Sequence, residues 1–384
     1  MPEFQFFQLG LIIFGASFVA CMLIVLSQKW HGSLSHDHDL DGVQKVHTTA
    51  VPRIGGVGVV IGLVLGFLYF QYQFAAPAQA SHTREILLLL GASLPAFVAG
   101  VIEDMTKRVS VRARLVATAL SAVIASALLG ATVNQLDLWG VDTLLAFTPF
   151  AVFVTAIVVA GGSNAINIID GFNGLSSSTI MIMAAGLAAV GFQHGDGLVV
   201  MLGALGIGAT LGFLAVNYPR GKLFLGDGGA YFLGFWVSEM AVLLLVRNPS
   251  VTAWQVLAIC AYPVIEVLFS MYRRKVIQKV SPGAPDALHL HTLVFRRLVF
   301  KHVRQDAVRP WKRNAAVVCI IAPAVAVCVA GSVALGASAP VGLLIVAVQV
   351  AMYVVVYGRL VRGRWMTGQA ARVNADMRAG AKMP

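Results

Sequence analysis

Apolar residues run through this chain in long unbroken stretches, each closed by a short polar or glycine-rich break. Runs of about 17–25 residues can cross a bilayer as helix. Eleven are predicted, at 5–27, 54–74, 85–102, 115–133, 142–161, 176–193, 198–216, 229–246, 252–271, 315–337 and 341–358. The stretches are continuous rather than alternating with period two, which excludes the strands of a membrane barrel. The first run has Glu3 and no Lys or Arg ahead of it, and it continues past Cys21. It therefore reads as a transmembrane helix and not as a signal peptide. The predicted fold class is an all-α integral membrane protein: a polytopic bundle of about eleven transmembrane helices over 1–358, followed by a basic tail over 359–384.

Composition supports this. Of 384 residues, 58% are hydrophobic and only 12% charged, and the mean hydropathy is +0.81. The net charge of +11 raises the question of nucleic acid, but its distribution answers it. Of 28 Lys and Arg residues, 26 fall in alternate loops (28–53, 103–114, 162–175, 217–228 and 272–314) or in the tail, leaving only Arg84 and Arg247 on the other side. The positive-inside rule then places the N-terminus in the periplasm and the C-terminus in the cytoplasm. The charge reports orientation and contact with anionic lipid, and no nucleic-acid partner is expected. The four cysteines lie in apolar runs without a CxxC pair, so neither a disulfide framework nor a zinc site is expected.

Every polar cluster with chemical potential falls on the predicted cytoplasmic side. A transporter would gather such groups near the midplane; only Glu239 and Glu266 sit inside runs, and neither receives a role. The first loop carries His36-Asp37-His38, then Asp39, Lys45 and His47, and ends on Pro52, Arg53, Gly55 and Gly56. Lys45 and Arg53 are candidates for holding phosphate oxygens. Glu103-Asp104, with Lys107 about one turn on, offers the oxygen ligands that Mg²⁺ favours. In Asn164-Ala-Ile-Asn167-Ile-Ile-Asp170-Gly-Phe-Asn173, the three-residue spacing puts Asn164, Asn167 and Asp170 on one face if the segment is helical. Asn offers a donor and an acceptor to a uridine or a sugar amide. Gly226-Asp227-Gly228-Gly229 allows close backbone approach to a diphosphate at a helix start. His289 and His291 lie in the longest and most basic loop. Each cluster also has a structural reading on its own, as flanking charge, a salt-bridged helix end, a buried Asn–Asp bond, a capped turn or surface histidines.

The five clusters in this order make the chain resemble the polyprenyl-phosphate N-acetylhexosamine-1-phosphate transferases of glycosyltransferase family 4, over about residues 29–300. The resemblance implies that Asp39, Lys45, His47, Pro52 and Arg53 belong to the family's first cytoplasmic loop. It makes Glu103, Asp104, Asp170 and Asp227 the catalytic carboxylates, with Asp227, Asp104 and Asp170 around Mg²⁺ (or Mn²⁺). Asp39, Lys45, His47, Arg53, Lys107, Asn164, Asn167, Asn173, His289 and His291 are implied as substrate-binding. The chain departs from the family pattern at Glu103, Asn173, Ala287 and Thr292. The implied reaction transfers HexNAc-1-phosphate, GlcNAc-1-phosphate first among the donors, from a UDP-sugar to undecaprenyl phosphate. UMP leaves, and the product initiates a lipid-linked cell-surface polysaccharide such as O-antigen or common antigen. UDP-linked GalNAc, FucNAc or QuiNAc are the runner-up donors. A silent scaffold of polysaccharide assembly and a transporter are the alternatives of another class. The implied location is the bacterial inner membrane with the active site facing the cytoplasm, and the family admits a homodimer.

Overall fold

A computed structural model describes residues 3–35, 50–74, 80–281, 286–306 and 308–363. The candidate residues His36, Asp37, His38, Asp39, Lys45 and His47, and the tail beyond residue 363, lie outside the described residues. All regular structure among the described residues is helical. Among the described residues, nine helices are long and apolar enough to cross a membrane, and two bent pairs raise the number to eleven if each pair is one span. The helices used below are α1 (Glu3–Leu26), α2 (Gly55–Phe74), α3 (Ala80–Ala92), α4 (Leu94–Thr106), α5 (Val111–Leu129), α6 (Thr148–Ile169), α7 (Leu175–Gln193), α8 (Gly197–Asn217), α9 (Gly226–Arg247), α10 (Ala253–Ile259), α11 (Ala261–Tyr272), α12 (Leu290–Val294), α13 (Lys312–Leu335) and α14 (Ala339–Val361).

The bends follow from proline. A proline removes the hydrogen bond to the carbonyl four residues back and crowds it. Pro263 does this to Ile259, the last residue of α10, and the chain turns by 84° into α11. Pro95 sits in the first turn of α4, which departs from α3 by 41°. The Ser121 hydroxyl of α5 accepts a bond from the freed Ala96 N–H at 3.1 Å.

Two sequence boundaries shift. The run read as 142–161 is helical over Thr148–Ile169, after a separate short turn of helix at Val141–Leu145. Its later end carries Asn164 and Asn167 out of the loop and onto helix. The run read as 229–246 starts at Gly226, so Asp227 lies in the first turn of α9.

α9 is the central helix, with nearly every residue of its first three turns buried. Small residues let neighbours touch it, as at many membrane helix contacts. A Cβ on Gly56 would collide with the Gly229 backbone, and one on Gly100 would stand 2.6 Å from Gly228. Backbone bonds knit the start of α2 to the approach to α9: Gly55 N–H to Phe224 O at 2.9 Å, Gly56 N–H to Leu225 O at 2.8 Å, and Phe224 N–H to Pro52 O at 2.9 Å. These contacts draw the Arg53 turn onto the Asp227 turn. At the opposite pole Arg247 joins Asp196 at 2.9 Å and Glu85 at 3.3 Å, tying the far ends of three hairpins.

Candidate active site

Asp227 is the point on which four segments converge. One carboxylate oxygen accepts from Asn167 Nδ2 at 2.8 Å and lies 3.8 Å from the Arg53 guanidinium. The other oxygen is ion-paired with Arg114. The Arg53 guanidinium also stands 3.7 Å from Asp104. Asn164, one turn before Asn167, accepts from the Tyr231 hydroxyl at 3.1 Å, one turn after Asp227. The two asparagines therefore face α9 together, as their spacing predicted.

Asp104 has a definite structural task. Its two oxygens accept from the Asp227 and Gly228 N–H groups, each at 2.8 Å. A carboxylate from α4 thus caps the N-terminus of α9, where four N–H groups would otherwise lack partners. This changes the expectation that those amides cradle a diphosphate: two of them are already bonded to Asp104. The side-chain cations remain as the groups that face an anion. Glu103 points elsewhere and accepts from Val109 N–H at 2.7 Å, closing the turn after α4. Lys107 is exposed and caps α4 in a left-handed conformation.

Asp170 ends α6 and accepts from the Ser176 hydroxyl. Burial pushes its carboxyl up to about 6, against the pull of that hydroxyl and of Arg53. A carboxyl in this condition gains from any added cation. Asp104, Asp170 and Asp227 present only hard oxygen donors around one pole, which is the donor chemistry of Mg²⁺. In this arrangement, however, no three acidic, histidine or cysteine side chains among the described residues gather closely enough to hold a metal. Arg114 supplies the counter-charge to Asp227 instead.

The histidine segment packs beside Asp170. A Cβ on Gly171 would stand 3.5 Å from His291 Nε2, and the Phe172 ring meets His291 edge-on at 5.6 Å. His289 and His291 stack with centroids 5.3 Å apart. Glu266 earns a place that the sequence left open: it bonds His289 Nδ1 at 2.9 Å and accepts from Leu290 N–H at 3.2 Å. Asp286 lies 3.6 Å from His289 Nε2 and is ion-paired with Arg273. Burial raises the Asp286 carboxyl, but the Leu288 N–H and Arg273 outweigh it and hold it below the ordinary value. Glu239 is 0% exposed, and neither of its carboxyl oxygens has a hydrogen-bond partner among the described residues; nothing in the structure explains it.

Burial pushes His291 down to about 4, against the attraction of Glu266 and Asp286. A neutral buried histidine must gain a proton on unfolding once the pH is below its free value of about 6.5. Its contribution to stability is full above that value and declines as pH falls toward 4. The melting temperature in detergent is expected to drop between pH 6.5 and 4, and His291→Gln is expected to flatten that drop. An equal drop in the variant would assign the acid sensitivity to other groups.

Asn173 is occupied structurally. It donates to Pro219 O at 3.0 Å, and its own N–H goes to Asn314 Oδ1 at 2.7 Å. Arg114 and Tyr231 are the site residues that sequence reading missed. By sequence alone Arg114 belongs with the basic residues of the 103–114 loop that set orientation. Its signal was the face that it shares with Thr118, Ser121 and Ala125, the buried side of α5.

The model of glycosyl transferase family 4 matches residues 86–245, from α3 to the end of α9. A probable undecaprenyl-phosphate N-acetylglucosaminyl 1-phosphate transferase of Bacillus subtilis is 30% identical over 254 residues, 65% of this chain and 66% of that protein. The chain belongs to glycosyl transferase family 4. Within it, the chain falls among the polyprenyl-phosphate HexNAc-1-phosphate transferases. An undecaprenyl-phosphate alpha-N-acetylglucosaminyl 1-phosphate transferase of Yersinia pestis is 27% identical, covering 67% of this chain and 69% of its own. A decaprenyl-phosphate N-acetylglucosaminephosphotransferase of Mycobacterium tuberculosis H37Rv is 23% identical, covering 68% of each. The chain thus spans about two thirds of the length of these transferases. It is a multi-pass membrane protein similar to bacterial membrane transferases.

Proposed function

We propose that the protein transfers GlcNAc-1-phosphate from UDP-GlcNAc to undecaprenyl phosphate at the cytoplasmic face, releasing UMP and beginning a lipid-linked polysaccharide. The observation that carries this reading is the Asp227 cluster: carboxylates, Asn167 and two arginines from separate hairpins meet at one pole. Joining two phosphates requires positive charge held where negative charge accumulates. Arg53 and Arg114 supply it from fixed positions. Asn164 and Asn167 offer hydrogen bonds to the nucleotide base or to the sugar amide. His291, packed beside Gly171 and Phe172, would approach the phosphates from the Asp170 side. The acceptor phosphate is already an anion near neutral pH, so positioning matters more than removal of a proton.

Mg²⁺ belongs to this proposal. Asp227, Asp170 and Asp104 are the donors that would hold it once drawn closer together than they stand here, and it would neutralise charge on the diphosphate. The lipid tail has a path. An apolar cavity of about 260 Å³ runs from Gly162 and Ile166, next to Asn167, past the break at Cys260 and Pro263 to Trp254. The names of the relatives support the donor and the acceptor. The concentration of Lys and Arg in alternate loops supports a periplasmic N-terminus and a cytoplasmic C-terminus.

The test is turnover by purified protein in detergent with undecaprenyl phosphate, Mg²⁺ and a panel of UDP-sugars. The expected result is UMP release with a lipid diphospho-sugar from UDP-GlcNAc, abolished by EDTA and restored by Mg²⁺. Product from another UDP-HexNAc alone would overturn the donor. No product from any donor, with folded protein, would overturn the enzymatic reading.

A further inference from the structure

A second feature lies at the same pole, away from the Asp227 cluster and sharing no lining residue with it. A cavity of about 550 Å³ is walled by Met22 of α1 and Val216 of α8 and lined by Arg220, Lys222 and Arg309. None of these three cations has an acidic partner among the described residues. Asp306, the acid nearest to Arg309 in sequence, pairs with Lys312 at 2.6 Å. Three like charges around one cavity repel, and an anion placed among them relieves that repulsion.

Next to it lies an apolar groove of about 640 Å³ between α7, α8 and α13, lined by Ala185, Ile207 and Ala326. Tyr218 lines both spaces, and its hydroxyl lies 3.5 Å from Cys319 at the junction. From Tyr218 to Ile207 the helix rises about 16 Å. That is about the depth of one leaflet's hydrocarbon, half of a core roughly 30 Å thick. Trp311 and Tyr218 both line the basic cavity, as aromatic side chains do at headgroup level.

We propose that this paired cavity and groove hold an anionic phospholipid, with its phosphate among Arg220, Lys222 and Arg309 and an acyl chain along α8. The cations require a phosphate-bearing anion, and basic recesses between membrane helices take such headgroups. The adjoining groove requires that anion to carry a tail. A free phosphate fills only the first space, and a zwitterionic headgroup brings its own cation into it.

The test uses the full-length protein in detergent, with native mass spectrometry and thermal melting as readouts. Phosphatidylglycerol is expected to remain bound and to raise the melting temperature, while phosphatidylcholine and inorganic phosphate do neither. The triple variant Arg220→Gln/Lys222→Gln/Arg309→Gln is expected to bind phosphatidylglycerol at least tenfold more weakly. Ala185→Phe, which fills the groove and leaves the cations in place, is expected to weaken it as well, and it decides the matter if the triple variant does not fold. Unchanged binding in a folded triple variant, or in Ala185→Phe if the triple variant does not fold, would overturn the proposal. An equal shift from inorganic phosphate would do the same, as would displacement of phosphatidylglycerol by stoichiometric undecaprenyl phosphate, which would make the site the acceptor's own.

Discussion

Asp227→Asn is expected to release UMP at about a thousandth of the wild-type rate or less, the scale of losing a preorganised electrostatic group. The substitution keeps the shape of the side chain and removes its charge. It leaves Arg53 and Arg114 facing an amide, and it places an NH₂ group within reach of the Asn167 NH₂. The carboxylate side chain is only 11% exposed, and that of Arg114 only 10%. Removing one partner of a buried pair costs about 3–5 kcal/mol, because the other charge is left uncompensated. The variant is therefore expected to melt earlier as well as to turn over slowly. UMP release and a thermal melt on the same preparation check both. Turnover within tenfold of wild type would remove Asp227 from the reaction.

Arg114→Met is expected to lose turnover by about a hundredfold, and stability by an amount similar to that lost in Asp227→Asn. Methionine keeps an unbranched stem on a face that packs against α9 but removes the guanidinium, leaving Asp227 with Arg53 and Asn167 alone. The double variant Arg114→Met/Asp227→Asn separates the two effects. Its melting temperature is expected to recover most of what either single variant loses, because no lone charge remains buried, while turnover stays at the lower level. A cycle of this kind isolates the coupling between neighbours. Additive losses in melting temperature would show that the pair is not one energetic unit.

The repeated crossing of the membrane was legible because lipid demands long apolar helices, although two of the eleven predicted runs are bent pairs in the structure, and Pro263 is the sequence feature behind the bend at Cys260. Asp104, Asn167, Arg53 and Asp227 were legible as candidates because charge and amide groups stand out in an apolar chain. What each does was less legible. Asp104 reads as a free carboxylate beside Glu103, yet its oxygens bond the first amides of α9. Asn173 sits inside the most informative motif, yet its amide holds the Pro219 turn. Arg114 stands among four cations between 107 and 114, and composition cannot tell the one that turns inward from those that mark orientation. Glu266 becomes intelligible only when His289 is seen against it. In each case the deciding partner is remote in sequence, so local pattern does not name it, even where, as for Arg114, a shared helix face hints at burial.

The Asp104 bonds to the start of α9 have a consequence for how the protein is made. They join positions 123 and 124 residues apart, and the Arg114 and Asn167 bonds to Asp227 close over 113 and 60. Contacts that close such long loops form late. During synthesis Arg53, Asp104, Arg114 and Asn167 all enter the bilayer's edge before their common partner exists. A nascent chain halted short of Asp227 carries four polar side chains without the carboxylate that gathers them, on hairpins that are otherwise ready. The arrival of one aspartate at the head of the eighth span gathers them, so a translation product truncated before it is both inactive and open to quality-control proteases at that pole.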